Sequence, residues 1–150
     1  MEKKTNQTIR EESLLASRAI SAYMASRFAT LEGGALSSFE GRVFGYICRN
    51  QDSNLTSADL ISRFGAPKST ISETLSALVE RGYIRLESNS EDRRQKFLRL
   101  TEKGLARFEG VLALFKEAEE RMKAELTEEE IAAYLKVAEQ IRINLGIKNE

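Results

Sequence analysis

Two adjacent arginines, Arg93 and Arg94, lie in a polar stretch between two short runs of alternating apolar residues. The flanking runs, 83–86 and 97–100, predict two strands, and the length between them predicts a loop rather than a tight turn. Guanidinium groups at such a tip suit a narrow minor groove, where the negative potential is enhanced. Lys96 would add a phosphate contact. The alternative is that the two arginines lie in an ordinary exposed loop without a binding function.

Upstream, residues 67–82 predict a helix with a hydroxyl-rich outward face. One apolar stripe fixes its buried side: Ile71, Leu75, Leu78 and Val79. Serine and threonine are mediocre helix formers, so their abundance on this helix favours a binding function. The alternative is an ordinary solvated helix face. Short hydroxyl side chains let a helix lie close to a groove floor, and its N-terminus attracts phosphate. The predicted DNA contacts are Lys68, Ser69, Thr70, Ser72, Glu73 and Ser76.

The distribution of charge favours the same segment. The chain of 150 residues has no net charge, but residues 60–107 hold ten basic and six acidic residues. Residues 108–150 hold the reverse, six basic and ten acidic. Local fields steer ligands more than the total charge does, so the basic excess favours nucleic acid, with Arg99 as a further phosphate contact. Uneven surface charge without function is the alternative.

Composition excludes several classes of protein. Hydrophobic residues make up 41% and charged residues 31%, which predicts a globular domain. No apolar run approaches the ~20 residues of a membrane span, and no secretory signal is visible, so a cytoplasmic location is expected. The chain has no histidine, no glycine-rich phosphate loop and no nucleophile–base set, so we expect no enzyme, metal or cofactor site. The lone Cys48 predicts a small buried hydrophobe, with a redox switch as the alternative.

The elements that position these residues follow from periodicity and capping signals. Helices are predicted near both ends of the chain and on either side of a Gly33-Gly34 turn. Ser37, Thr56 and Thr127 each precede an acidic residue by three positions, which predicts three capping boxes. Pro67 suits the first turn of its helix. The predicted order is α-α-α-α-β-β-α-α, a mainly α fold with a small β-hairpin wing.

Four motifs in this order resemble the MarR family of bacterial winged-helix transcriptional regulators. They are Leu55-Thr56, the leucine-to-glycine end of the helix at 78–82, Asp92-Arg93-Arg94, and the LTEKG sequence at 100–104. The resemblance implies a single domain over 1–150, with a DNA-binding lobe at about 37–104. It also implies dimerisation helices at about 8–30 and 105–147.

The function implied by the resemblance is that of a sequence-specific, ligand-responsive repressor. A homodimer would present two recognition helices to double-stranded DNA, on a pseudo-palindrome with half-sites ~34–36 Å apart. The alternative is a winged helix used for protein–protein contact, without DNA binding. By resemblance, Asp92 would brace the wing through an ion pair with one of the two arginines.

Two positions depart from the family pattern. Glu73 stands where many relatives have a basic or neutral polar residue, and it either accepts a hydrogen bond from cytosine N4 or sits off the phosphates. Ala66 stands where a hydroxyl N-cap is expected. Both departures affect which individual contacts are predicted and leave the family resemblance unchanged.

Apolar residues near both chain ends exceed what one small core needs. The resemblance implies that they pair two chains, whereas an intrachain bundle is the alternative. They are Ile9, Leu14, Ile131, Tyr134, Leu135, Ile141, Leu145 and Ile147.

A small aromatic or anionic effector is also implied by the resemblance, bound between the dimer helices and the DNA-binding lobe. For each lining residue, ordinary core packing is the alternative. The lining residues would be Tyr23, Phe28, Phe39, Arg42, Phe44 and Tyr46.

Overall fold

The computed structural model describes residues 8–146, which form six helices and one hairpin in the predicted order. The predicted fold class is confirmed, while Ile147 lies outside the described residues. No helix between residues 8 and 146 is long and apolar enough to cross a membrane. The elements are α1 (Ile9–Phe28), α2 (Ser38–Arg49), α3 (Ser57–Phe64), α4 (Lys68–Glu80), β1 (Ile84–Ser88), β2 (Lys96–Leu100), α5 (Glu102–Lys123) and α6 (Glu128–Asn144).

The chain forms two compact units that meet within α5, after Leu114. The first unit contains α1 to β2 and the start of α5, and it holds the core. That core comes from α2, α3, α4 and the hairpin, and its most deeply buried side chains are Val43, Ile47, Leu60, Ile71, Leu78, Tyr83, Ile84 and Leu98.

Helix starts are fixed locally, as the capping signals predict. The boxes at Ser37, Thr56 and Thr127 are confirmed, and Thr8 forms a fourth that was not predicted. In the box before α3, the hydroxyl and the backbone N–H of Thr56 each donate to Asp59 Oδ2 at 2.7 Å. These two hydrogen bonds lower the pKa of the Asp59 carboxyl.

The start of α4 differs from its prediction by one position. Pro67 is the N-cap rather than a first-turn residue, because its ψ of 147° is extended although its φ of −56° would fit a helix. Ala66 therefore lies one residue before the N-cap. The hydroxyl side chain that was expected to cap this helix is not present at the N-cap position. Proline offers no side-chain acceptor, so α4 begins without a side-chain cap hydrogen bond.

The apolar stripe of α4 is also shifted at its end. Ile71, Leu75 and Leu78 are buried as predicted, but Val79 is 39% exposed. The buried position on the other side of the stripe belongs to Thr74, whose hydroxyl donates to the Thr70 carbonyl at 2.8 Å. Because this hydrogen bond satisfies the buried hydroxyl, threonine can take a position at the edge of the core.

The wing is an antiparallel hairpin whose register pairs Ile84 with Leu100 and Ser88 with Lys96. Leu98 also donates its backbone N–H to the Leu55 carbonyl at 2.8 Å, so the chain just before α3 extends the sheet edge. The base of the wing is thereby joined to the helix-turn-helix.

The LTEKG motif forms the junction between the wing and α5. The backbone N–H of Gly104 donates to Thr101 Oγ1 at 3.0 Å, in the manner of a helix cap. A Cβ at Gly104 would collide with the carbonyl of Tyr83, so only glycine lets α5 approach this closely. The motif thus sets how α5 leaves the lobe.

A buried arginine holds the loop that follows α1. Arg107 of α5 is 7% exposed and donates to the carbonyls of Glu32 and Gly34 at 3.0 and 2.7 Å. Its guanidinium also lies 5.8 Å from the ring centre of Tyr83. Two carbonyl oxygens and an aromatic face offset part of the cost of burying this cation, whose Nε is buried without a hydrogen-bond partner.

Candidate nucleic-acid interface

A groove of about 780 Å³ lies between α3, α4 and the hairpin. Its lining brings together side chains that are far apart in sequence, since both α4 and the wing loop contribute to it. Of the predicted contact residues, the lining includes Lys68, Ser72 and Ser76 from α4, and Asp92, Arg94 and Lys96 from the wing. Its apolar floor includes Leu75, Val79, Leu86 and Leu98.

The other predicted contacts on α4 lie outside this groove. Successive helix residues are about 100° apart, which places Ser69 and Glu73 opposite the buried stripe, facing solvent. Thr70 is half-buried at the edge of the stripe, and its carbonyl accepts the Thr74 hydroxyl. The α4 surface therefore divides into a groove wall and a face that points directly away from the core.

The wing loop is held in shape by polar side chains. Asp92 Oδ1 accepts the backbone N–H of Arg94 at 3.0 Å, and the Asp92 carbonyl accepts the backbone N–H of Gln95 at 3.0 Å. At the loop's base, Asn89 Nδ2 donates to Gln95 Oε1 at 2.9 Å. Such side-chain-to-backbone bonds define tight turns.

Asp92 thus contacts the backbone of the wing rather than an arginine side chain. Among residues 8–146, neither Arg93 nor Arg94 forms an ion pair with it, and both arginines are exposed. The carboxylate orders the loop without neutralising either guanidinium. Both cations stay available to an anionic ligand.

Arg99, for which the sequence predicted a phosphate contact, also makes contacts within the protein that were not predicted. Its guanidinium nitrogens donate to Glu87 Oε2 at 3.2 Å, to the Ser53 carbonyl at 3.1 Å and to Asn54 Oδ1 at 2.8 Å. It also lies 5.2 Å from the ring centre of Phe97. Because every nitrogen is engaged, Arg99 fastens the wing to the loop between α2 and α3.

Three of the predicted effector residues converge on α3. The rings of Phe39 and Tyr46 meet Phe64 edge-on, at centroid distances of 5.8 and 5.7 Å. Arg42 lies 5.4 Å from the Phe39 ring centre, and Arg63 lies 5.8 Å from that of Tyr46. Phe64 and Arg63 were not predicted at this position, because nothing in the sequence showed that α2 and α3 face each other there.

The remaining effector candidates lie elsewhere in the lobe. Tyr23 and Phe28 are half-buried on α1, and Phe44 packs in the core against Tyr83 at a centroid distance of 5.4 Å. Cys48 is buried in the same core, and burial raises the pKa of its thiol to about 12. No cluster of three metal-ligating side chains is found among residues 8–146.

Known proteins share both the sequence pattern and this architecture. Residues 36–95 match the model of the MarR family. A candidate MarR family transcriptional regulator from Clostridium acetobutylicum is 29% identical, with a TM-score of 0.70, and the match covers 93% of this chain and 100% of that one. No match is found among curated proteins.

Two structures of MepR from S. aureus have the same fold at lower identity. A mutant bound to an oligodeoxyribonucleotide is 21% identical with a TM-score of 0.74, covering 93% of this chain and 99% of that one. MepR bound to ethidium bromide is 20% identical with a TM-score of 0.74, covering 95% and 99%. In its matched motifs this chain resembles the MarR family over residues 36–95, and it shares the winged-helix fold of these structures.

Proposed function

We propose that this chain is a sequence-specific DNA-binding repressor that acts in the cytoplasm as a homodimer and responds to a small aromatic or anionic ligand. The observation that carries the proposal is the shared groove, in which α4 contributes Lys68, Ser72 and Ser76 while the wing contributes Arg94 and Lys96. Cations and hydroxyl groups in one groove can donate hydrogen bonds to phosphate oxygens.

The shape of this groove fits one strand of a duplex. When a recognition helix enters the major groove and a wing reaches the adjacent minor groove, the sugar–phosphate strand between the two grooves must pass between helix and wing. In this chain that space is about 780 Å³ and is lined by the cations of both elements. We therefore assign Ser69, Thr70 and Glu73 to the major groove, and Arg93 and Arg94 to the wing's minor-groove contact.

The apolar surface of α1 and α6 supports the homodimer. In the part of the chain that the structure describes, neither helix contains a buried residue. Tyr134 and Leu135 of α6 are 64% and 61% exposed, and Ile9 of α1 is 66% exposed. Exposed apolar patches of this kind mark interfaces, and we assign the helices at 8–30 and 105–147 to a two-fold dimer.

The contacts between α2 and α3 support the effector assignment. Aromatic rings of Phe39, Tyr46 and Phe64 are half-buried, and the guanidinium of Arg42 lies beside two of them. Rings supply stacking surface and a guanidinium supplies a bidentate partner for an acid. MepR, which shares the fold, also binds a planar aromatic molecule, ethidium.

Selection of bound duplexes from a random pool tests the proposal. The full chain is expected to enrich an inverted repeat whose half-sites are ~34–36 Å apart, about one helical turn. Enrichment of direct single sites would contradict the dimer, and absence of any salt-dependent binding would favour the protein–protein alternative.

A further inference from the structure

The exposed face of α4 contains a carboxylate, which would repel DNA phosphates. Glu73 is the sixth residue of the helix and lies on the side opposite Ile71 and Leu78. The N-terminal half of a recognition helix is the part that meets base edges. On the proposed function, on which this inference rests, Glu73 therefore faces the floor of the major groove.

The carboxylate has no protein partner that would neutralise it. The residues within reach along the helix, three or four positions away, are Ser69, Thr70, Ser76 and Ala77, none of which is a cation. Across residues 8–146, no ion pair or side-chain hydrogen bond involves Glu73. An unpaired carboxylate among phosphates weakens binding unless the DNA itself supplies a donor.

The major groove offers few donors for a group that can only accept. Cytosine presents the N4 amino group, whereas guanine presents two acceptors and thymine an acceptor and a methyl group. Adenine presents N6 beside the acceptor N7, which would repel the second carboxylate oxygen. We propose that Glu73 reads one cytosine in each half-site by accepting a hydrogen bond from its N4 amino group.

The matched variants are Glu73→Gln and Glu32→Gln, which make the same change at two exposed carboxylates. Glu32 lies in the loop after α1 and is not among the residues that line the groove between α3, α4 and the wing. Each variant and the unchanged chain select duplexes from a random pool, and affinities are then measured on duplexes that differ only at the selected position.

The unchanged chain and Glu32→Gln are expected to select cytosine at one symmetric position, with about 5- to 100-fold discrimination against other bases. Glu73→Gln is expected to lose that preference or change it to adenine, which glutamine contacts through N6 and N7, while other positions keep theirs. If Glu73→Gln keeps the same base preference and binds every duplex more tightly, the inference is wrong and the carboxylate only repels phosphate. If the unchanged chain binds no duplex, the proposed function itself fails.

Discussion

Arg99 donates a hydrogen bond to Asn54 at 2.8 Å, across 45 residues of sequence, and this joins the wing to the loop before α3. The same guanidinium holds Glu87 on the facing strand. The position of the wing tip therefore depends on a residue whose three guanidinium nitrogens each already donate a hydrogen bond within the protein. If Arg99 only positions the wing, its loss should not change the salt dependence of DNA binding, whereas loss of a phosphate contact should. Measuring the salt dependence therefore distinguishes the two roles.

Arg99→Ala is expected to weaken DNA binding several-fold and to lower the free energy of unfolding by about 1–2 kcal/mol. The reason is loss of the wing's attachment, so the slope of log affinity against log salt should stay unchanged. Asn54→Ala, which removes one of the three contacts, should give a smaller change in the same direction. A slope lower by roughly one unit would instead identify Arg99 as a phosphate contact.

Cys48 is expected to be chemically inert in the folded protein. Burial raises the pKa of its thiol to about 12, so the neutral form persists through pH 7–9, where an ordinary thiol near 8.5 begins to ionise. Alkylation by iodoacetamide should be at least ~100-fold slower in the native chain than in urea. Rapid native labelling that also abolishes DNA binding would revive the redox-switch interpretation.

Leu135→Glu is expected to dissociate the dimer. It buries a charge in the proposed interface, whereas Gln140→Glu adds the same charge at an exposed position about 140° around α6 from Leu135. Sedimentation at micromolar concentration should give a monomer for the first variant and a dimer for the second. A monomeric unchanged chain would contradict the interface, and a dimeric Leu135→Glu chain would place it elsewhere.

Features governed by neighbouring residues could be predicted from the sequence, and those governed by distant contacts could not. The box of Ser37 and Glu40 spans three residues, so its signal is local and the prediction was correct. The role of Arg99 depends on Asn54, and no pattern in the sequence brings these two together. Thr74 was missed for the same reason, because its burial depends on how α4 packs in the core, although its hydroxyl donates to a carbonyl one turn earlier in the helix.

The wing loop shows both cases in one segment. The loop and its exposed arginines followed from composition, and the family resemblance implied an ion pair between Asp92 and one of the arginines. The contact of Asp92 with the backbone N–H of Arg94 was not predicted, because an aspartate beside two arginines favours an ion pair on charge alone. The geometry of the turn determines the contact, because it places the Asp92 carboxylate next to the backbone N–H two residues later.

The salt dependence of DNA binding tests the central claim most directly. Affinity for a selected duplex is measured between 50 and 200 mM salt, as in ordinary counterion analyses, for the unchanged chain, Arg94→Ala and Lys116→Ala. Lys116 is a matched control because it is an exposed cation of α5, outside the groove. The account predicts that Arg94→Ala weakens binding and lowers the slope by roughly one unit, while Lys116→Ala changes neither. Unchanged affinity and slope in Arg94→Ala would contradict the account.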